Sequence, residues 1–341
     1  MKLWAYGVDQ GRWGQMLVAA ASERGMDAEV FTHPTQLRMM REGDYVFMRV
    51  PQWEPELSAG RQLAWRVETE TGATLIPPWP LIFEYEDKAR QCEALRAYVR
   101  THLARGVTRT KRGKEGGTRD LSSESASRAY MPLTYVHTSY DRKAEVRASI
   151  NTLGLPFVSK AKEGSSSVNV RLIESVEDAM AEFETAMTFG ISTRVGKGRC
   201  GLQRGYVLWQ RFIPGNKGDI RICINGDYAI MLERDNAHGV PFASGSGRNR
   251  PINNPNARQL EALDTADRYF KLRQFKWCGI DMVYEEAENK WWVLETTLGW
   301  SLKAYEDCRY FHLPTLSPTE CRGADWCRVF LNQLENGVFA P

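Results

Sequence analysis

Two acidic residues interrupt strand-like segments near the end of the chain. Asp281 lies within the apolar run 278–283, and Glu295 ends the apolar run 292–294. A carboxylate inside an otherwise buried strand is costly unless it is paired or binds a metal. Two such carboxylates on neighbouring strands can hold Mg²⁺ against the phosphates of a nucleotide. The alternative for each acid taken alone is a structural ion pair.

A lysine and a small-residue turn form a second candidate site. Residues 155–159 are typical of a short buried strand that ends at Lys160, and alternating apolar residues over 168–172 predict a return strand. The turn between them holds a glycine and three serines: Gly164, Ser165, Ser166 and Ser167. Their backbone N–H groups can approach an anion, and Lys160 adds a positive charge. The segment predicts a phosphate site, with a surface hairpin as the alternative.

An acid and an arginine share one face of another strand. Asp219 and Arg221 alternate at the start of a strand predicted over 219–224, so their side chains face the same side. The dipeptide Asn225-Gly226 is a strong hairpin turn and predicts a return strand over 227–233. Both charged side chains therefore stand out, with Lys160, Asp281 and Glu295, as polar positions placed by the strands.

The elements that must position these residues begin with an alternating pattern. Over about the first 80 residues, strands are predicted over 2–7, 28–32, 45–50 and 74–76, and helices over 13–23 and 60–71. Such alternation predicts a small open parallel sheet. No G-x-G-x-x-G motif follows the first strand, so a dinucleotide site is not predicted there.

From residue 130 onward the pattern favours antiparallel strands with helices packed on them. Helices are predicted over 143–153, 176–187 and 255–270, with a last helix starting at Ser317-Pro318 and a loop over 190–205. We expect a mixed α/β and α+β fold in four parts: residues 1–86, a helix with a basic segment over 87–130, and two further regions over 131–208 and 209–341.

Composition narrows the classes of function. The 341 residues are 43% hydrophobic and carry a formal net charge of +3, which is too balanced to favour nucleic-acid binding by the whole molecule. Seven cysteines, an odd number, are expected to stay reduced, which predicts a cytoplasmic protein. No apolar run approaches the ~18 residues that would span a bilayer. The sequence leaves open whether the chain forms a homo-oligomer.

Residues 105–128 are basic and almost free of apolar side chains. Such a segment cannot pack a core, so a solvated loop is one interpretation. The other is an arm that contacts a polyanionic or nucleic-acid substrate.

A cluster near the C-terminus has metal-ligating residue types at irregular spacing: Cys308, His312, Cys321 and Cys327. It lacks the C-x-x-C pair that is typical of structural zinc, so buried or idle thiols are favoured over a zinc site.

Five motifs occur in a characteristic order: Asp87-Lys88, PFVSKAKEGSSS (156–167), WQRFIPGNKGDIR (209–221), GIDMV (279–283) and VLETT (293–297). Their order and spacing over about residues 75–310 resemble the ATP-grasp superfamily, and within it the RimK-like amino-acid ligases. The resemblance implies an ATP-grasp fold, in which two α+β subdomains grip ATP, preceded here by a small parallel α/β domain.

The resemblance implies a set of residues around the nucleotide. Lys88 and Lys160 match the two phosphate-binding lysines, and Asp219 matches an acid on the ribose or substrate side. The other matches belong to the flexible loop that closes over the triphosphate, to the hinge whose backbone reads adenine, and to an arginine-bearing loop: Lys162, Gly164, Ser165, Ser166 and Ser167; Gln210, Arg211 and Phe212; and Arg248.

At the reacting centre, the resemblance implies catalytic roles for Arg221 and Lys160 and metal binding by Asp281 and Glu295. The sequence departs from the family pattern where Thr297 stands in place of a metal-binding Asn. A threonine hydroxyl is a weaker oxygen ligand, which puts a second metal in question. Arg211 also stands where an acid is usual, and Trp300-Ser301 replaces the usual Pro-Gly.

What the resemblance implies for function is ATP-dependent ligation of a carboxylate to an amine through an acyl phosphate, with amino acids as the expected substrates. ATP and one or two Mg²⁺ ions, replaceable by Mn²⁺, are the expected cofactors. Two alternatives stay open: a nucleotide-binding protein that has lost ligase chemistry, for which Thr297 is the sign, and a ligase that acts on a nucleic acid or another polyanion through residues 105–128.

Overall fold

The computed structural model describes residues 1–8, 12–52, 54–109, 130–161, 169–195, 199–236 and 248–340. Within these ranges the chain forms a four-stranded parallel sheet, a four-stranded and a seven-stranded antiparallel sheet, and a separate two-stranded hairpin. Helices cover the sheets, so the expectation of a mixed α/β and α+β fold is confirmed. No helix of the described ranges has both the length and the apolar character needed to cross a membrane.

The first sheet is built from the N-terminal residues. Its strands are β1 (Leu3–Tyr6), β2 (Ala28–Phe31), β3 (Tyr45–Phe47) and β4 (Thr74–Ile76). They are parallel and follow the order β2-β1-β3-β4. The connections hold helices α1 (Trp13–Glu23) and α2 (Glu56–Glu70) and a 3₁₀ helix (Pro34–Met39), and α3 (Trp79–Glu84) follows β4. All four residues of β1 are buried, as expected for a parallel strand covered on both faces.

The second sheet follows the long helix α4 (Lys88–Arg109). Its elements are β5 (Thr134–Thr138), α5 (Lys143–Leu153), β6 (Phe157–Lys160), β7 (Val170–Ile173), α6 (Val176–Thr188) and β10 (Tyr206–Arg211). The strand order is β5-β10-β6-β7, and every neighbouring pair is antiparallel. Helices α5 and α6 pack on this sheet around Phe157 and Trp209, which form a core of their own.

The third sheet is the largest. Its strands are β11 (Gly218–Asn225), β12 (Tyr228–Asp235), β13 (Asn249–Pro251), β14 (Trp277–Glu285), β15 (Lys290–Thr297), β16 (Arg309–His312) and β17 (Ser317–Arg322). The order is β15-β14-β11-β12-β16-β17, with β13 on β12. The accompanying helices are α7 (Ala257–Leu272), α8 (Leu302–Tyr305) and α9 (Trp326–Glu335).

The two faces of the third sheet bury different partners. Ile220, Ile222 and Ile224 of β11 point to one face and share a core with helix α7. The opposite face meets the N-terminal region through an aromatic cluster centred on Trp13 of α1. The Trp13 ring lies 5.7 Å from Trp277, 5.4 Å from Trp300 and 4.6 Å from Trp326 between centroids. Aromatic packing of this kind is worth more than its buried area alone, so the first and third sheets are firmly joined.

Two sequence-based predictions were wrong. Residues 190–205 contain the hairpin strands β8 (Ile191–Val195) and β9 (Arg199–Gln203) where a loop was predicted. Residues 317–322 form strand β17 where a helix start was predicted. Pro318 lies on this edge strand opposite Phe311, a position where a missing N–H is tolerated. A 3₁₀ turn (Gly323–Asp325) follows, and the last helix begins only at Trp326.

Candidate active site

Asp281, Glu295 and Arg221 form one row across three strands. Asp281 on β14 lies in register with Glu295 on β15 and with Arg221 on β11. Residues in cross-strand register point to the same face, with β-carbons about 4.5–5.5 Å apart. The register of β14 and β15 shifts directly after Asp281, and such bulges re-aim side chains. The fold therefore brings the two predicted metal-binding carboxylates together.

Two arginines neutralise Asp281. Arg221 donates from Nε and Nη2 to its two carboxylate oxygens at 2.5 and 2.6 Å, and Arg234 Nη2 lies 2.7 Å from Oδ2. Arg234 also donates to Asp219 from Nε at 2.6 Å and from Nη2 at 2.5 Å. Burial favours the neutral carboxyl, but the two guanidinium groups hold the pKa of Asp281 well below its usual range. Burial raises the pKa of Asp219, against the opposing effect of Arg234.

Helix α4 brings a lysine to the same row. Lys88 is the first residue of the helix, and its buried Nζ lies 3.2 Å from Glu295 Oε1. Burial lowers the pKa of Lys88, but Glu295 and other nearby carboxylates outweigh it, so the pKa is raised. Gln91 donates from Nε2 to the Thr296 carbonyl and accepts from the Thr296 N–H, both at 3.0 Å. This paired contact fixes helix α4 against β15.

Lys160 approaches the row from the second sheet. Its Nζ donates to Gln210 Oε1 at 2.6 Å, and Gln210 Nε2 donates to Thr134 Oγ1 at 2.9 Å. Burial lowers the pKa of Lys160 to about 8, since the attraction of Glu295 is smaller and Lys88 repels the charge. Glu295 and Asp281 act to raise the pKa of both lysines, so cations and acids lie close together between the second and third sheets.

Arg211 at the expected hinge turns its side chain away from this row. Its guanidinium donates to the two oxygens of Glu285 at 2.9 and 2.7 Å and to Glu288 at 3.1 Å. Its backbone N–H donates to the Leu133 carbonyl at 2.8 Å. The half-buried Phe212 follows. The arginine that replaces the usual acid therefore ties the end of β10 to β14.

Several predicted residues lie beside the site or outside the described ranges. Arg248 is exposed directly before β13, and its carbonyl accepts from the Asp235 N–H at 3.1 Å. The phosphate-loop positions fall outside the described residues: Lys162, Gly164, Ser165, Ser166 and Ser167. Most of the basic segment, residues 110–129, does as well.

The third predicted metal ligand, Thr297, lies on the same face of β15 as Glu295. It is in register with Gly279 and is buried, and its Oγ1 donates to the Gly299 carbonyl at 3.1 Å. Among the described residues, no group of three or more His, Cys, Asp or Glu side chains is arranged to hold a metal. A metal here would thus rely on two carboxylates and one hydroxyl.

The C-terminal cysteines do not form a metal centre within the described residues. Cys308, Cys321 and Cys327 are free thiols, and His312 Nδ1 lies 2.9 Å from Thr315 Oγ1.

Sequence reasoning missed Arg234 and Gln91. Arg234 becomes part of the site only because the β11–β12 hairpin places it opposite Asp219, so the hairpin register was the available signal. Gln91 lies one turn after Lys88 on the same helix face, but its partner Thr296 is 205 residues away. No local pattern signals such a contact.

Comparison with known proteins shows likeness at the level of structure. No family model and no curated protein matches the chain. The structure is similar to the ATP-grasp ligase PsnB complexed with minimal precursor, Mg and ADP (15% identity, TM-score 0.54, 98% of each chain covered). It is also similar to the macrocyclase MdnC bound with precursor peptide MdnA from Microcystis aeruginosa MRC (12% identity, TM-score 0.54, 97% of this chain and 100% of that chain).

A third similar structure is D-alanine–D-alanine ligase from Bacillus anthracis, at 12% identity and a TM-score of 0.50, with 99% of this chain and 96% of that chain covered. The likeness to all three spans the parallel sheet and both antiparallel sheets, since nearly the whole chain is covered. The expectation from the ordered motifs is confirmed at this level: the chain has the ATP-grasp fold.

Proposed function

We propose that this chain is an ATP-dependent carboxylate–amine ligase that releases ADP. The observation that carries the proposal is the convergence of two lysines, one on helix α4 and one on the second sheet, with two carboxylates on neighbouring strands of the third sheet. Lys88 and Lys160 are suited to phosphate oxygens, and Asp281 with Glu295 is suited to a hard divalent cation. Phosphate binding and metal binding in one cleft are what phosphoryl transfer from ATP requires.

The lysines would hold the phosphates in different ways. Lys88 is charged over a wide pH range because Glu295 stabilises it. Lys160 is desolvated, and its partner Gln210 is neutral, so an incoming phosphate would give it the counter-charge that it lacks. The clustered charges are nearly balanced without a ligand, which supports binding of ATP together with a divalent cation rather than ATP alone.

The side chains of Asp281 and Glu295 are chemically suited to Mg²⁺. Carboxylate oxygens have spare lone pairs, so Asp281 and Glu295 can bind a cation while they keep their arginine and lysine contacts. The Thr297 hydroxyl is the weaker third ligand because it already donates to Gly299. Mg²⁺ bound there would neutralise negative charge on the transferring phosphoryl group, and Mn²⁺ would serve the same purpose.

The proposed reaction has two steps. A carboxylate oxygen attacks the γ-phosphorus of ATP, the bond to ADP breaks, and an acyl phosphate forms. An amine then attacks the acyl carbon, and inorganic phosphate leaves. Arg221 binds Asp281 through Nε and Nη2, and within the described chain its Nη1 has no hydrogen bond. That nitrogen is the candidate to stabilise the developing oxyanion, an effect usually worth about 3–4 kcal/mol.

Isotope transfer tests both the reaction and its intermediate. The full-length chain is incubated with Mg-ATP, pooled amino acids and short acidic peptides whose carboxylates carry ¹⁸O, and products are identified by mass spectrometry. We include peptides because one structural neighbour is complexed with a minimal precursor and another with a precursor peptide. The expected result is an amide product, stoichiometric ADP, and one ¹⁸O atom in the released phosphate. ADP without an amide, or phosphate without ¹⁸O, would contradict the proposal.

A second candidate is a nucleotide-binding protein without ligase activity. The observation in its favour is Thr297, whose hydroxyl is committed to Gly299. Binding of Mg-ADP with no turnover on any acceptor in the panel would favour it. The polyanion-acceptor alternative has its own test: salt-dependent RNA or DNA binding that is lost on deletion of residues 110–129.

A further inference from the structure

Arg49 reaches the cleft from the N-terminal sheet. It follows β3, at the carboxyl end of a central parallel strand. In open parallel sheets this edge is where ligands bind. The Arg49 guanidinium carbon lies 5.5 Å from the centre of the Trp13 ring, and a β-carbon added to Gly299 would lie 2.1 Å from Arg49 Nε. The side chain therefore rests on the aromatic cluster and against the chain just after β15.

Among the residues that the structure describes, the Arg49 guanidinium forms no ion pair. Its Nε is buried without a hydrogen bond, and no carboxylate within the described residues pairs with it. Other arginines at or near the site are satisfied: Arg221 and Arg234 by Asp281, and Arg211 by Glu285. The side chain as a whole is half-buried, and a guanidinium with a buried, unsatisfied N–H and no paired carboxylate favours an anionic ligand.

The Arg49 guanidinium lies beside the proposed ligase site. Gly299 accepts a hydrogen bond from Thr297, which shares a strand face with Glu295. The Tyr85 phenol connects the same groups. Burial raises the pKa of Tyr85 well above its usual range, Glu86 and Glu295 add to the shift, and Arg49 and Thr297 oppose it. Tyr85 is therefore a neutral hydroxyl close to the cation.

Gly299 is required for this arrangement. A side chain at that position would overlap Arg49 Nε and would come within 2.8 Å of both the guanidinium carbon and Nη2. The neighbouring Trp300 stacks on Trp277 at 4.7 Å between centroids and holds the turn in place. The turn thus leaves room for a guanidinium and fixes its position.

We propose that Arg49 binds a carboxylate group of the substrate. The planar guanidinium matches the two oxygens of a carboxylate, and the neutral Tyr85 hydroxyl can supply a further hydrogen bond. Arg49 would then favour an acidic substrate. Arg221 cannot bind a carboxylate in this way, because its Nε and Nη2 already donate to Asp281. This inference rests on the proposed function for the identity of the ligand as a substrate, but the anion site itself can be measured without turnover.

Binding is measured by tryptophan fluorescence, for which Trp13 beside Arg49 is the reporter. The probes are acetate, succinate and L-glutamate, each compared with sodium chloride at equal ionic strength. We expect saturable binding of at least one carboxylate by the unchanged chain. Arg49→Gln should weaken carboxylate binding by about tenfold or more. Arg49→Lys should weaken it by less, because the positive charge remains although the planar guanidinium is lost.

A second variant tests position without removing the charge. Gly299→Ala should displace the guanidinium and weaken carboxylate binding as Arg49→Gln does. Arg66→Gln is the matched control, since Arg66 is an exposed arginine paired with Glu70 on helix α2, and carboxylate binding should be unchanged. Circular dichroism verifies that each variant is folded.

The outcomes separate this inference from the proposed function. Binding of Mg-ADP should stay within about twofold in Arg49→Gln, and, once a substrate is known, its KM should rise while the KM for ATP is unchanged. Carboxylate binding that is absent from the unchanged chain, or equal in Arg49→Gln, would overturn the inference. Failure of amide formation with intact, Arg49-dependent carboxylate binding would instead overturn the ligase proposal alone.

Discussion

Asp281 and Glu295 face each other across adjacent strands, yet each is neutralised by cations from a different part of the chain. Asp281 is held by arginines of the β11–β12 hairpin, whereas Glu295 is paired with Lys88 of helix α4. Two carboxylates in cross-strand register would otherwise repel each other. Helix α4 and the β11–β12 hairpin therefore both contribute the cations that allow Asp281 and Glu295 to lie close together.

Removing Asp281 should cost both stability and activity. Asp281→Ala leaves Arg221 and Arg234 without their shared carboxylate, and breaking a buried ion pair typically costs about 3–5 kcal/mol. We expect that loss in the free energy of unfolding, measured with urea, and no ATP turnover. Asp264→Ala, which breaks an exposed pair with Arg268 on helix α7, should change stability by less than about 1 kcal/mol. ADP release at the unchanged rate from Asp281→Ala would sink the assignment.

Nucleotide affinity should fall as pH rises through about 8. Burial lowers the pKa of Lys160 from 10.5 to about 8, so the group is charged below that pH and neutral above it. Loss of this charge should weaken Mg-ADP binding by up to about tenfold per pH unit above pH 8, measured by calorimetry. The same shift means that Lys160 opposes folding below about pH 8 and that this penalty disappears as pH rises towards 10.5.

Two variants isolate the Lys160 effect. Lys160→Arg stays charged throughout the range, so its Mg-ADP affinity should not decline between pH 8 and 9.5. Lys160→Ala should abolish turnover at every pH. An identical decline in Lys160→Arg and the unchanged chain would show that another group titrates.

An amide at position 297 should create a better metal site. In Thr297→Asn, a carboxamide oxygen replaces a hydroxyl that is committed to Gly299. Titration with Mn²⁺ in the presence of ADP, followed by electron paramagnetic resonance, should reveal one more bound ion per chain than in the unchanged protein. The exposed Thr152→Asn serves as the control. Equal stoichiometry in all three proteins would argue against a ligand role for position 297.

Loss of the Gln91 amide should loosen the contact between α4 and β15. Gln91→Leu leaves the buried N–H and carbonyl of Thr296 unsatisfied, at a cost of about 1–3 kcal/mol in the free energy of unfolding. Because Lys88 and Glu295 are held in place by the same contact, Mg-ADP affinity should fall too. The exposed Gln62→Leu should change neither the free energy of unfolding nor Mg-ADP affinity. A Gln91→Leu protein as stable as the parent would show that Gln91 does not hold α4 against β15.

Much of the fold was predictable because local patterns determine it. The alternation of the N-terminal elements predicted a parallel sheet, and the helix over Trp13–Glu23 and the strand over Thr74–Ile76 are confirmed. Strand β17 was not predictable in the same way. Its Ser-Pro start is also a good helix start, and only the place of Pro318 at the edge of the sheet decides between them.

The site was predictable where chemistry and strand position coincide. An acid within an apolar strand is conspicuous, and so Asp281 and Glu295 were found from the sequence alone. Arg234 and Arg49 were not, since charged residues near strand ends are common and only tertiary packing shows which are buried. The same is true of Arg211, whose side chain pairs with Glu285 on another sheet.

The shared aromatic cluster has a mechanical consequence. The first and third sheets have common hydrophobic cores, with Trp13 packed against three tryptophans of the C-terminal region, whereas the second sheet has a core of its own. The packing therefore predicts that the second sheet, with Lys160, moves against a body formed by the other two sheets when the cleft opens and closes. Arg49, Lys88, Asp281 and Glu295 belong to that body, since Lys88 pairs with Glu295, and they keep their mutual geometry while Lys160 moves.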